Sequence, residues 1–367
     1  MDNVAHSLVG LAASKAGLEK LSPSATTVCI LAANAADLDV LSGLFGDRWS
    51  VLHYHRGITH SIVGTFALAL IIPLVFYLVE LLVSLLLARP RRLRLRGLLL
   101  ASLMASATHP LMDWTNNYGV RLLLPWSAKW FYGDLAFIVD PLLWLVFGAA
   151  AFLLTSESKW QLLLWYLLGA MLTFVVVYAG VLRGVLGHPH VVLAIWMAAL
   201  VLLVIAKRLR LSQRWGCKIA IAAFALVVAY WGGLALLHAR ALNRAQEESF
   251  VLAASNGEKV IRLAAMPTLA NPTRWQCLAE TDRAVYRFDL FLIGGGNDAT
   301  HAARFEKPNP ANEKLIDMAS HDRRAQVLLE FARFPAERVV GSDCATQTLV
   351  QFADLRYTEP GRSRGNF

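Results

Sequence analysis

The chain has 367 residues, 56% of them hydrophobic, and a formal net charge of +9 at pH 7. That apolar share exceeds the roughly 45–50% of soluble domains and excludes an ordinary soluble enzyme. The positive charge is no nucleic-acid footprint: residues 1–240 hold 19 basic against 10 acidic residues, much of the surplus in two short runs between apolar segments, while residues 241–367 hold 16 of each.

The opening Met-Asp-Asn-Val-Ala-His places an acid before any base and lacks a positive n-region, so no cleavable secretory signal is expected. Residues 3–16 and 24–42 are helical candidates of modest hydrophobicity. They read as an interfacial or partly inserted hairpin that turns at Leu21-Ser22-Pro23-Ser24. Six later stretches are long and apolar enough to cross a bilayer: 62–88, 97–113, 135–155, 160–182, 190–206 and 216–238. Pro73 is expected to kink the first, and Glu80 to snorkel or pair with arginine.

The loop 89–96 carries Arg89, Arg91, Arg92, Arg94 and Arg96, and the loop 207–218 carries Lys207, Arg208, Arg210, Arg214 and Lys218. With six spans these loops share one side with Lys159. The opposite loops hold only Arg121, Lys129 and Arg183. The arginine-rich side is therefore expected to be cytoplasmic, with residues 1–60, the loop 114–134 and the C-terminal domain facing outward. His188 and His190 beside Pro189 read as an outer turn.

Residues 243–367 change character, with more charge and turn clusters such as Asn271-Pro272 and Gly294-Gly295-Gly296-Asn297. Val285–Ile293 reads as a strand and 322–333 as a helix. The expected fold is mainly α: a polytopic transmembrane helical bundle with an N-terminal helical hairpin over 1–240, followed by a soluble α+β or mostly β domain over 243–367. None of the four cysteines forms a CxxC pair, which argues against cysteine-based zinc binding. Cys277 and Cys344 could pair if that domain is exported; two thiols are the other reading.

Histidines and carboxylates gather before residue 141. Asp2 and His6 are four apart; Asp37 and Asp39 follow an apolar helix; His53, His55, Arg56, Thr59 and His60 lead into the first long span. His109 and Asp113 end the second span, and Asp134 and Asp140 open the third. An i,i+4 pair shares one helix face, so Asp2 with His6 and His109 with Asp113 can each present two ligands together. In an extended segment His53 and His55 also point the same way. Antiparallel spans bring His60, His109 and Asp113 to the face opposite the arginine loops, and the hairpin brings His6 and Asp37 to a common end. Carboxylates at membrane depth are costly unless paired or ligating. Imidazole and carboxylate suit borderline divalent metals, zinc foremost, with manganese or iron as alternatives, and the surplus over four ligands points to one or more ions.

The strings Met1-Asp2-x3-His6, Asp37-Leu38-Asp39, His55-Arg56-Gly57-x-Thr59-His60-Ser61, His109-x3-Asp113 and Phe137-Ile-Val-Asp140-Pro141 resemble the LexA-regulated, YdjM-like family of inner-membrane metal-dependent hydrolases. The resemblance covers about residues 1–150 and implies a multi-pass protein of the bacterial inner (plasma) membrane. A more distant likeness is to the all-helical zinc phospholipase C and single-strand nuclease fold, where His60, His109, Asp113 and one of Asp37 or Asp39 would be ligands. The chain departs from that fold in having no evident later HxxxE helix.

The expected activity is hydrolysis of a phosphoester or lipid-like ester at the outer membrane face by metal-activated water. His6, Asp37, His60, His109 and Asp113 would be the principal metal ligands, with His53 and His55 behind them. Asp39 would act as general base or bridging ligand, and Arg56 would stabilise charge developing on a substrate oxygen. The expected surroundings are the bilayer and an amphiphilic substrate, with no nucleic acid. A metal-stabilised structural protein and a transporter are the alternatives.

Overall fold

The structure is a computed structural model describing residues 1–182, 189–294, 301–341 and 348–361. It forms two compact units: residues 1–39, 56–235 and 268–271 make the first, and residues 40–55, 236–267 and 272–367 the second. Arg183, His188, Gly295, Gly296, Asn297 and Cys344, with its expected partnership to Cys277, lie outside the described residues.

The first unit opens with α1 (Asn3–Lys15) and α2 (Ala25–Asn34), followed by a 3-10 segment, Ala35–Leu41, that carries Asp37 and Asp39. Gly10 lets the two helices approach closely; a Cβ there would sit 2.7 Å from the Cys29 carbonyl oxygen. Next come α5 (Ile62–Leu86) and α6 (Leu95–Trp114). The buried residues of α6 are Leu98, Ala101, Ser102, Ala105, Ser106, His109, Met112 and Asp113, one helical stripe at three- and four-residue spacing. This stripe packs its small residues on Val28, Cys29, Ala32 and Ala33 of α2. By contrast, α5 leaves Phe66, Leu70, Ile71, Leu74, Leu78 and Leu82 exposed, the surface expected of a helix in lipid.

The unit continues with α7 (Pro141–Thr155), α8 (Lys159–Val177), α9 (Pro189–Arg208), α10 (Leu211–Trp215) and α11 (Lys218–Ser255). Its larger core joins Ala5, Leu8, Val9 and Ala12 of α1 to Leu143, Trp144, Phe147 and Ala151 of α7, with Trp196 and Val227 from the later helices.

Among the described residues, five stretches are long and apolar enough to cross a membrane: Ala25–Phe45, Ile62–Leu86, Lys159–Gly180, Pro189–Arg208 and Lys218–Ser255. Two expected spans, 97–113 and 135–155, are not among them, and one segment read as a hairpin arm is. The second, α6, has its apolar average diluted by the small and polar stripe that packs on α2. The third begins only at Pro141, and the 15 residues of α7 rise roughly 22 Å, short of the roughly 30 Å hydrocarbon core. The expected end of the membrane part, at 240, falls inside α11, whose 38 residues run on to Ser255. Residues 235–248 are mostly Ala, Leu, Arg and Glu with no glycine or proline, so nothing local stops the helix.

The second unit takes in α3 (Ser42–Phe45) and α4 (Arg48–Tyr54) as well as the C-terminal residues. Strands β1 (Val260–Thr268), β2 (Asn271–Thr281), β3 (Ala284–Phe291) and β4 (Ala303–Glu306) form one sheet in sequence order. Antiparallel pairing places Trp275 opposite Leu290, Cys277 opposite Phe288 and Ala279 opposite Tyr286, and these six side chains form a core with Ala241 and Ala245 of α11. After α12 (Pro310–Ser320) and α13 (Arg323–Phe331), β5 (Pro335–Gly341) and β6 (Thr348–Asp354) make an antiparallel pair. The chain is thus mainly helical with a C-terminal antiparallel β domain.

Candidate metal centre

Three pieces of local structure carry the site. The last turn of α6 presents His109 and Asp113 on one buried face, four residues apart. A 3-10 turn, Ile58–His60, delivers His60 just before Ser61 caps α5 by accepting from the Gly64 amide. Gly64 is required there, because a Cβ would lie 1.8 Å from the Ile58 carbonyl oxygen. The 3-10 segment after α2 brings in Asp37. Ligand atoms of Asp37, His60, His109 and Asp113 all lie within 4.8 Å of one another, close enough to hold one metal ion.

The protonation pattern is dictated by the neighbours. His109 Nδ1 is 2.6 Å from the Ala33 carbonyl oxygen, which can only accept, so Nδ1 carries the proton. His60 Nδ1 lies 3.2 Å from Asp39 Oδ2, and an ionised carboxylate likewise only accepts. In the neutral rings both Nε2 atoms are then bare lone pairs, yet they stand 3.0 Å apart. Asp37 Oδ1 is 3.3 Å and 3.5 Å from the two nitrogens, and Asp113 Oδ2 is 3.3 Å and 3.4 Å from them. Four acceptors face one another, an arrangement that repels itself unless a cation stands among them. Ring Nδ1 groups held by a carbonyl and a carboxylate are the orienting contacts seen behind metal-ligating histidines.

His6 stacks on His109 with ring centroids 3.8 Å apart and places Nε2 3.5 Å from Asp113 Oδ1. It is fully buried, and among the described residues neither ring nitrogen has a hydrogen-bond partner; nor do Asp37 Oδ2 and Asp113 Oδ2. Burial, reinforced by His109 beside it, lowers the His6 pKa well below its ordinary value and keeps the ring neutral. Orphaned buried groups of this kind cost about 1–3 kcal/mol each. The donor set fits a divalent cation of the borderline class. The Met1 amine also donates to Asp113 Oδ1.

Asp39 and Arg56 each hold another member of the cluster. Asp39 was expected to be a general base or bridging ligand. Its Oδ2 accepts from the Arg56 amide at 3.0 Å and the Thr59 hydroxyl at 2.9 Å and lies 3.2 Å from His60 Nδ1, contacts that aim the His60 ring. Arg56, expected to meet a substrate oxygen, is 2% exposed. Its guanidinium bonds Asn116 Oδ1 at 2.9 Å and the Gly119 carbonyl at 3.1 Å, pairs with Asp113 Oδ1 at 3.1 Å, and lies over the Tyr118 ring at 4.5 Å. It ties the loop after α6 to a ligand carboxylate. Its φ of 56° is a left-handed conformation that a non-glycine residue holds only when its surroundings enforce it.

His53 and His55 belong to the second unit, where α4 is helical, so the extended geometry that would aim both rings together is absent. His53 Nδ1 is 3.4 Å from Glu330 Oε2 of α13, and His55 closes α4 as its C-cap. Asp2 does not pair with His6 as a ligand. It caps α1 through the Ala5 amide and accepts from Trp144 Nε1 at 3.0 Å and 3.1 Å. Asp140 caps α7 through the Leu142 amide and accepts from the Tyr230 hydroxyl at 2.9 Å. The sequence reading missed the Ala33 carbonyl, Asn116, Tyr118, Trp144 and Tyr230. A backbone oxygen has no sequence signature, and Tyr230 lies 90 residues from its partner.

Residues 1–182 match the family model described as YdjM inner membrane protein. No curated protein and no solved structure matches the chain.

Proposed function

Residues 1–182 carry the YdjM inner membrane protein family match, and on that premise we propose that the chain is a membrane-bound, metal-dependent hydrolase acting on a phosphoester or lipid-like ester. The observation that carries the reading is the opposed pair of Nε2 lone pairs of His60 and His109, 3.0 Å apart between two carboxylates. A divalent ion at such a site supplies Lewis acidity and brings the pKa of water toward neutrality. Zinc suits the nitrogen and oxygen donors, with manganese and iron as alternatives. Asp37, His60, His109 and Asp113 hold the ion, and His6 is the reserve ligand. Asp39 and the Ala33 carbonyl keep both ring Nδ1 atoms protonated, and Arg56 holds Asp113 in register with the loop 114–134.

The amphiphilic substrate class rests on position. The site lies at the start of α5 and the end of α6, where Trp114 closes α6 and the loop after it carries Trp126, 77% exposed, along with Trp130 and Tyr132. Tryptophan and tyrosine gather where a bilayer meets water. The arginine-rich loop 89–96 joins the other ends of these helices, and its charge supports an outward orientation for the site.

A second reading has its own observation. His60, His109 and Asp113 are all but fully buried, as in a closed four-ligand site that ties helices together without catalysis. Metal analysis of the purified protein against His60→Ala and His109→Ala, run beside a phosphoester and lipid-ester hydrolysis screen, separates the readings. Metal in the wild type alone, with turnover, is the expected result. Stoichiometric metal with no turnover on any ester favours the structural site, and equal metal in all three proteins removes the ligand assignment.

A further inference from the structure

At the end of α5 and α6 away from the candidate metal centre, an open groove of about 680 Å³ lies between the two helices and the turn of the N-terminal hairpin. Leu21, Leu93, Leu95 and Leu100 give it apolar walls, and Arg94 and Arg96 stand with them. Gly97 makes the closeness of its sides possible, since a Cβ there would lie 2.3 Å from the Leu21 carbonyl oxygen. The groove opens where α5, with its lipid-type surface, ends and α6 begins.

The charge at this end is mostly uncompensated. Glu80 is taken by Arg89 at 3.7 Å and by the Arg92 amide at 3.2 Å. Arg91 reaches the Tyr77 hydroxyl at 3.3 Å, and Arg94 reaches the Lys20 carbonyl at 3.3 Å with one arm of its fork. The Arg96 guanidinium has no side-chain partner among the described residues. Membrane orientation needs only the positive charge of such a loop. It does not need guanidinium groups set at the rim of a leucine-walled groove. A small hydrated anion would gain nothing from those walls, whereas a phosphate carrying an acyl chain matches both parts: the planar forks for its oxygens, the leucines for its chain.

We infer that this groove binds an anionic phospholipid of the adjacent leaflet, with the phosphate on Arg94 and Arg96 and the first acyl segment along Leu93 and Leu100. The assignment is independent of the metal centre and of which leaflet this end faces.

Native mass spectrometry of the full-length protein, titrated in detergent with phosphatidylglycerol or phosphatidylcholine, tests it. The wild type is expected to retain phosphatidylglycerol in preference to phosphatidylcholine. Arg94→Lys with Arg96→Lys keeps the loop charge, and with it the membrane orientation, and is expected to lower phosphatidylglycerol occupancy by roughly fivefold, as a forked contact becomes a point charge. Leu100→Trp fills the groove without touching a charge and is expected to do the same, while Arg214→Gln, in the other basic loop, leaves binding unchanged. Equal retention of the two lipids by the wild type overturns the inference, as does undiminished phosphatidylglycerol binding by Leu100→Trp. Displacement of the lipid by inorganic phosphate alone also overturns it, because the site would then recognise a small anion.

Discussion

Tyr230 of α11 donates its hydroxyl hydrogen bond to Asp140 Oδ2, 2.9 Å away, and Asp140 in turn caps α7. One turn along α7, Trp144 donates to Asp2, the cap of α1, and α1 carries His6 against His109. A late span is thereby connected to the candidate metal centre through three helices. Tyr230→Phe removes one partner of a buried carboxylate, which typically costs about 1–3 kcal/mol. A lower melting temperature in detergent is expected, together with faster loss of metal to a chelator. A variant that melts lower but keeps metal as well as the wild type would restrict the contact to packing.

Asp39 separates aiming from ligation. Asp39→Asn preserves volume but can turn its amide NH₂ toward His60 Nδ1 and favour the wrong tautomer. Metal affinity is expected to fall 10–100-fold, the usual effect of losing an orienting partner behind a ligand. Competition with a chromophoric chelator measures it. His109→Ala is expected to lose metal altogether, so a loss that large from Asp39→Asn would instead make Asp39 a ligand.

Gly64→Ala probes the turn that delivers His60. The added Cβ would meet the Ile58 carbonyl at 1.8 Å, so the 58–60 turn or α5 has to move. Overpacking of this kind costs roughly 1–3 kcal/mol. Both thermal stability and metal content should drop, whereas Gly169→Ala, with nothing within 4 Å of its Cβ, should change neither.

In the C-terminal domain, burial alone would raise the Glu258 pKa, but Arg304 at 2.6 Å, the Thr281 hydroxyl at 2.7 Å and the Tyr286 hydroxyl at 3.0 Å outweigh it and hold the carboxyl below its ordinary value. A depressed folded-state pKa gives stability that is present above the ordinary carboxylate range and lost as pH falls through the folded value. Protease resistance of this domain should therefore decline on acidification below the ordinary glutamate range, and Glu258→Gln should flatten that part of the profile while lowering resistance at neutral pH. An unchanged pH profile in Glu258→Gln would remove the carboxylate as its source.

The basic loops predict an outward C-terminal domain. A fusion after Phe367 is expected to be active as a periplasmic phosphatase and silent as a cytoplasmic fluorescent reporter; the opposite pattern would reverse the orientation.

Apolar run length, loop charge and ligand spacing are local quantities, so the sequence alone determined that this is a membrane protein and which residue types could meet a cation. The four-residue step from His109 to Asp113 is a property of any helix, and the antiparallel order of two spans brings His60 to the same end. Tertiary structure decided that Asp37 and Asp113 share one cluster with His60 and His109, that Arg56 is spent on Asp113 and the 116–119 turn, and that His53 meets Glu330. It also decided that 40–55 packs with the C-terminal residues and that α11 runs through the expected domain boundary. These outcomes depend on contacts with backbone carbonyls and with side chains tens of residues away. Such contacts leave no periodic mark in the chain, because a hydrogen bond constrains only the two groups that meet and the fold alone chooses which groups those are.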